Sequence, residues 1–211
     1  MKYLKKYYLN FIFLIIGTLF ISIGGVLFLT ANLGSDALMV LNQGIANALK
    51  IDVGYGIIIS NLILLVVIII LDRKTIGIGT FFITIFLGLT INLLQSFNLI
   101  QTSDRFFINL IIVFAGIIIG GFGIASYIYA NLGLSPFEGL IIYIVNRTKW
   151  HFWLIKIIND VILFTIGFLL GGVFGIGSVL TVFLFGPIIN FYLFLLKKTN
   201  LVKQREIEIK G

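Results

Sequence analysis

The chain has 211 residues, 60% of them hydrophobic and only 11% charged, and its mean hydropathy is +1.16. A soluble domain carries about a quarter charged residues, so this composition excludes one and places the chain in a lipid bilayer. There is no cysteine and only one histidine, His151, which excludes disulfides, thiolate metal sites and histidine clusters. The formal charge of +7 is concentrated at Lys2, Lys5 and Lys6 and again from Lys197 to Lys210. Those are the flanks of the first and last apolar runs, the pattern of cytoplasmic positive charge rather than of nucleic-acid binding.

Only helices and closed barrels satisfy their backbone hydrogen bonds inside lipid. The apolar runs are continuous and lack the alternation of barrel strands, so the expected fold class is all-α. The first run, from about Tyr7 to Thr30, is long enough to span. Its apolar core from Phe11 to Leu29 exceeds the length of a signal-peptide core and is followed by no small-x-small site, which predicts a retained helix starting inside. Gly17 and Gly24 lie on one face of it, where another helix could approach closely. After Ala31-Asn32-Leu33-Gly34, Asp36 is a natural N-cap for a helix over 37–49. Asn42, Gln43, Gly44 and Asn47 interrupt that segment, so it reads as re-entrant rather than spanning. A nearly pure aliphatic run follows from Tyr55 to Leu71, then the charged turn Asp72-Arg73-Lys74, then Gly77-Ile78-Gly79-Thr80 opening a helix to about Leu94. A loop from Gln95 to Arg105 ends this half.

The second half repeats the first. Ala130-Asn131-Leu132-Gly133 matches Ala31–Gly34, and Asn109, Gly116 and Gly123 match Asn10, Gly17 and Gly24, all 99 positions on. Asn146 and Lys149 match Asn47 and Lys50 at the same offset. Gly175, Gly177, Ser178, Gly186 and Asn190 match Gly77, Gly79, Thr80, Gly88 and Asn92 at an offset of 98. Glycines and asparagines at fixed offsets across the whole chain point to an internal duplication, about 7–97 and 106–196, within a single membrane domain that ends in a cytoplasmic tail, 197–211. The segments of the second half run from Phe106 to Tyr129, from Ser135 to Asn146, from Trp150 to Leu170 and from Gly175 to Leu196. Ser135-Pro136-Phe137-Glu138 has the form of a capping box with proline at the first helical position.

Each half thus has four helical segments. If the short ones (35–49 and 134–147) are re-entrant, six helices span and the halves are inverted; if they span, there are eight and the halves are parallel. Matching loops of inverted halves lie on opposite sides and should differ in charge. Arg73-Lys74 corresponds to the uncharged Gly171-Gly172, and Lys50, offset by Asp52, corresponds to Arg147 and Lys149. The inverted arrangement is therefore expected.

The ANLG element, the Ser-Pro-aromatic-acid turn after its second copy, and the GxGT that opens a later helix resemble the YczE/YyaS/YitT family of bacterial membrane proteins over about residues 10–196. Pro136, Phe137 and Glu138 keep the family's pattern; the first half departs from it with Ala37, Leu38 and Met39. The resemblance implies a polytopic protein of the bacterial cell membrane. It implies no activity, because the family is one of uncharacterised membrane proteins.

Polar side chains inside a bilayer are costly. Asp36, Ser135 and Glu138 stand at the starts of the two short helices, where free N–H groups and the helix dipole favour negative charge. One reading is that the two starts meet and hold a small polar or ionic substrate, with Asn32 and Asn131 alongside; the other is that these residues only cap their helices. Lys156 and Asp160, four apart on one face, form either an ion-coupling pair or a snorkelling lysine with its counter-ion. Asn92 and Asn190 read as interhelical hydrogen-bonding residues. The GxGT and GxGS turns lack the lysine and preceding strand of a phosphate loop and read as tight bends. No nucleophile–base set or metal cluster is visible, so no enzyme, cofactor or metal is expected. The expected function is a small secondary transporter with a central site between the repeats. The alternative is a non-transporting accessory protein, and small size with glycine-lined faces also suits a homo-oligomer or a membrane partner. Both termini are expected in the cytoplasm.

Overall fold

The computed structural model describes residues 2–97 and 103–202, except for the side chains of residues 2–7 and Lys74. Residues 98–102 of the 95–105 loop and most of the tail lie outside these residues. All regular structure among them is helical: α1 (Lys2–Ala31), α2 (Ala37–Leu49), α3 (Val53–Leu71), α4 (Ile78–Ser96), α5 (Phe106–Ala130), α6 (Pro136–Thr148), α7 (Phe152–Leu169) and α8 (Ile176–Lys198), with one 3-10 turn at Arg73–Thr75. Six of them, α1, α3, α4, α5, α7 and α8, are long and apolar enough to cross a membrane. The other two, α2 and α6, have 13 residues each. At ~1.5 Å per residue that is about 20 Å, short of a hydrocarbon core of about 30 Å. The protein is a polytopic helical membrane protein.

α1 and α5 form the axis of the molecule. Gly17 lies against Gly123 and Tyr127, and Gly24 against Gly116 and Gly120. The Asn10 amide donates to the Ala130 carbonyl at 2.8 Å. As the number rises on α1 it falls on α5, so the two helices are antiparallel. That settles the parity of the chain between them: an odd number of crossings separates the start of α1 from the start of α5, which α1, α3 and α4 supply without α2. Eight spanning helices would have made α1 and α5 parallel.

The two ANLG turns are built alike. Asn32 and Asn131 take left-handed backbone angles, φ 50° and 54°, which asparagine tolerates better than most residues and which close α1 and α5. Gly34 and Gly133 follow at φ 92° and 120°, where a side chain would be strained. Each turn is clamped by the GxG(T/S) turn of the other half of the sequence. The Gly177 N–H donates to the Leu33 carbonyl at 2.8 Å, and the Gly79 N–H donates to the Leu132 carbonyl at 2.9 Å. The Thr80 hydroxyl adds a bond to the Leu134 carbonyl at 2.7 Å. The GxG turns are therefore more than bends: their glycines let two backbones touch, Gly175 against Leu33 and Gly77 against Leu132.

The halves differ in one respect. α3 and α4 pack together, Gly54 against Gly88, with the Asn92 Oδ1 accepting from the Gly54 N–H at 2.7 Å. α7 and α8 do not pack along each other. Asn92 thus links helices as expected, whereas Asn190 is exposed and Gly186 faces open space.

Candidate functional site

The starts of the two short helices line one buried cluster. Ala37, the first residue of α2, shares one buried cluster with Phe137 and Ile141 from the first turns of α6 and with Ile155 and Leu163 of α7. Asp36 caps α2, its Oδ1 accepting from the Met39 N–H at 3.2 Å. Ser135 caps α6 more loosely, accepting from the Glu138 N–H at 3.5 Å.

Glu138 does not complete the capping box. No hydrogen bond runs from the Ser135 N–H to its carboxylate, and its Oε2 is buried without a hydrogen-bond partner. The side chain lies beside Tyr127 of α5, whose hydroxyl is also buried and unpartnered and also neighbours Ser135. The hydroxyl and the carboxylate are close enough to interact as donor and acceptor, though short of strict hydrogen-bond geometry. Buried polar atoms are almost always paired, and Tyr127 and Ser135 are the neighbours within reach of the Glu138 carboxylate.

Lys156 and Asp160 do pair, Nζ to Oδ2 at 2.8 Å. The lysine side chain is 45% exposed and the aspartate side chain 12%, so the pair runs from the protein surface inward. The Asp160 Oδ1 and the Asn159 Nδ2 are buried without partners. Lys156 is within electrostatic reach of Asp36 and Glu138, Asp36 is within reach of Asp160, and Glu138 is within reach of Asp36. Four charged residues from three helices, three acidic and one basic, thus share one region bounded by α2, α5, α6 and α7. A cation placed there would meet unshared carboxylate oxygens; a protonated carboxyl would meet the Tyr127 hydroxyl.

Asn32 and Asn131 stand at the ends of α1 and α5. Asn32 is exposed and Asn131 half-buried, and both positions are accounted for by the left-handed turn they make. Tyr127 was the residue that sequence reasoning passed over. Its signal was available: 99 positions earlier the chain has Phe28, and three more pairs at that offset change in the same sense, Met39 to Glu138, Ile57 to Lys156 and Asn61 to Asp160. In the first half Met39 and Ile57 pack together in an apolar cluster with Ile91. The same positions in the second half carry Glu138 and Lys156.

Residues 8–193 match the model of a family of unknown function, DUF6198. An uncharacterized protein of Haemophilus influenzae is 32% identical over 179 residues, which cover 82% of this chain and 78% of the relative. The uncharacterized membrane protein YczE of Bacillus subtilis is 34% identical over 99 residues, 46% of each chain. The uncharacterized protein YyaS of the same organism is 26% identical over 194 residues, 90% of this chain and 95% of the relative. No solved structure matches. With nearly its whole helical body covered by one family model, the chain belongs to the DUF6198 family of YczE-like membrane proteins.

Proposed function

We propose that the protein is a small secondary transporter of the cell membrane, built from two inverted repeats, with Asp36, Glu138, Lys156 and Asp160 at its central site and Tyr127 and Ser135 beside them. One observation carries this reading: two short-helix starts from opposite halves converge on buried, incompletely paired charges. Short helices that end inside a bundle place backbone dipoles and polar side chains where spanning helices cannot. Charges that served structure alone would be expected in both halves. Here the first half fills the equivalent places with Met39 and Ile57 and packs without them. The substrate is small and polar or ionic, and Lys156 with Asp160 couples an ion or proton to its movement.

The test uses purified protein in lipid vesicles, with flux of protons and of a panel of small polar and ionic solutes as the readout. Glu138→Gln is expected to abolish flux while leaving the melting temperature unchanged, because glutamine keeps size and helix-capping ability but not the charge. Wild-type flux in that variant removes Glu138 from the site. No flux by the wild-type protein, with another membrane protein co-purifying, favours the accessory role instead.

Inverted repeats also fix the sidedness of the loops. Both termini belong in the cytoplasm, because basic residues accumulate there. Single cysteines introduced into the naturally cysteine-free chain at positions 2, 147 and 210 are expected to label from the cytoplasmic side, and one at position 50 from outside. Labelling of positions 50 and 147 from the same side contradicts the inverted arrangement.

A further inference from the structure

We propose that the outward face of α8 is a homodimer interface, in which Gly186 admits a second copy of the chain and Asn190 pairs with its own counterpart. Exposed apolar side chains alone would mean only lipid contact. Gly186 and Asn190 are what lipid does not explain. Asn190 lies inside a helix apolar enough to cross the membrane, two turns before Lys197 and Lys198, and it is exposed with no hydrogen-bond partner among the described residues. An amide facing hydrocarbon alone is costly. A Cβ built on Gly186 meets nothing within 4 Å. Both lie on one side of the helix with Phe183 and Phe194, which are 71% and 57% exposed. Pro187 lies there too and has no N–H to offer the Phe183 carbonyl. The face therefore presents a gap, an unpaired amide and a carbonyl deprived of its helical donor.

The chain shows what such a face does when it is covered. At the corresponding positions of α4, Gly88 takes the α3 backbone at Gly54, and Asn92 accepts that residue's N–H. The α7 helix does not cover α8 in this way, and it carries the bulky Trp153 where α3 has Gly54, 99 positions earlier. Within the chain no helix covers this face of α8 among the described residues. A second copy fits on chemical grounds. All copies share one orientation in the membrane, so two α8 helices related by an axis along the membrane normal run parallel, and each residue meets its own counterpart. Asparagine is both donor and acceptor and can pair with itself. From Ile176 to Leu196 the helix carries no charge to repel a copy. The interface does not depend on the transport reading.

The test is a single-cysteine scan from Phe183 to Phe194 in the otherwise cysteine-free chain, oxidised in native membranes and in vesicles holding only the purified protein. Disulfide-linked dimers are expected at Phe183, Gly186, Asn190 and Phe194. They are not expected at Leu184 or Ile188, which pack on α5, nor at Ile63 of α3, a lipid-facing control that is 58% exposed. Gly186→Leu should fold normally, since the side chain has room, and should be monomeric by mass in nanodiscs. Asn190→Leu should weaken the dimer by roughly 3- to 20-fold, the range of single interhelical hydrogen bonds in membranes, and Asn190→Gln should restore it. A scan with no helical periodicity, a Gly186→Leu protein that is still dimeric, or cross-links to a different protein in membranes with none in vesicles would overturn the proposal.

Discussion

Gly24→Leu is expected to leave almost no folded protein. A Cβ built at Gly24 lies 2.7 Å from the Gly120 Cα and 2.9 Å from the Gly120 nitrogen. Those are backbone atoms of the facing helix and cannot rotate away. Overpacking that side chains can absorb costs about 1–3 kcal/mol; here the α1–α5 contact itself must separate. The expected loss is therefore more than about 3 kcal/mol, a large share of a total stability of about 5–15. Because α1 and α5 are the helices on which both halves are assembled, the loss is global. Thermal unfolding in detergent and size-exclusion profiles provide the measurement. Gly120→Ala is the control: its Cβ comes no nearer than 3.4 Å to the end of the Phe185 ring, an ordinary contact. A Gly24→Leu protein as stable as wild type would mean that α1 and α5 are not in this contact.

The second large effect concerns the charges. Lys156→Ile removes the cation that faces Asp160 at 2.8 Å and lies within reach of Asp36 and Glu138. Removing one partner of a buried pair costs more than the pair contributes, because the remaining charge is left uncompensated. Lys156 is partly exposed, which tempers the effect. A loss of about 2–3 kcal/mol is expected, on the scale of a single charge held at membrane depth. The triple variant Lys156→Ile, Glu138→Met, Asp160→Asn installs the residues found 99 positions earlier, where Met39 and Ile57 already pack together. It is expected to recover most of the lost stability while having no flux. If the single and triple variants unfold alike, the four charges do not form one electrostatic unit.

The sequence by itself determined the class and the parts list. Its hydropathy required a membrane helix bundle, and its caps and glycines located the element ends within a residue or two, except that α1 starts at Lys2 rather than near Tyr7. The helix over 37–49 lies where it was expected, because Asp36 and the left-handed residue Lys50 fix both of its ends locally. The recurring glycines and asparagines marked α1 and α5 as counterparts. Loop charge and the length of the short helices favoured the inverted arrangement without deciding it, since both topologies leave equal numbers of Lys and Arg on the cytoplasmic side.

Only the tertiary structure decided the rest. The antiparallel contact of Gly17 and Gly24 with α5 rules out eight crossings. Helix direction is a relation between segments, and local periodicity carries no trace of it. The pairing of each ANLG turn with the GxG turn of the other half was equally hidden, because a glycine in the sequence says that something comes close and not what. The same limit applies to the candidate site. Lys156 and Asp160 were legible as a pair because four residues make one helical turn. Their convergence with Asp36, Glu138 and Tyr127 rests on contacts among four helices that no spacing encodes. Gly186 and Asn190 repeat Gly88 and Asn92 letter for letter, yet one pair is buried between helices and the other faces outward. The difference lies in the neighbouring helix: α3 packs on α4, whereas α7 packs on α2 and α6 and not along α8, and it carries Trp153 where α3 has Gly54.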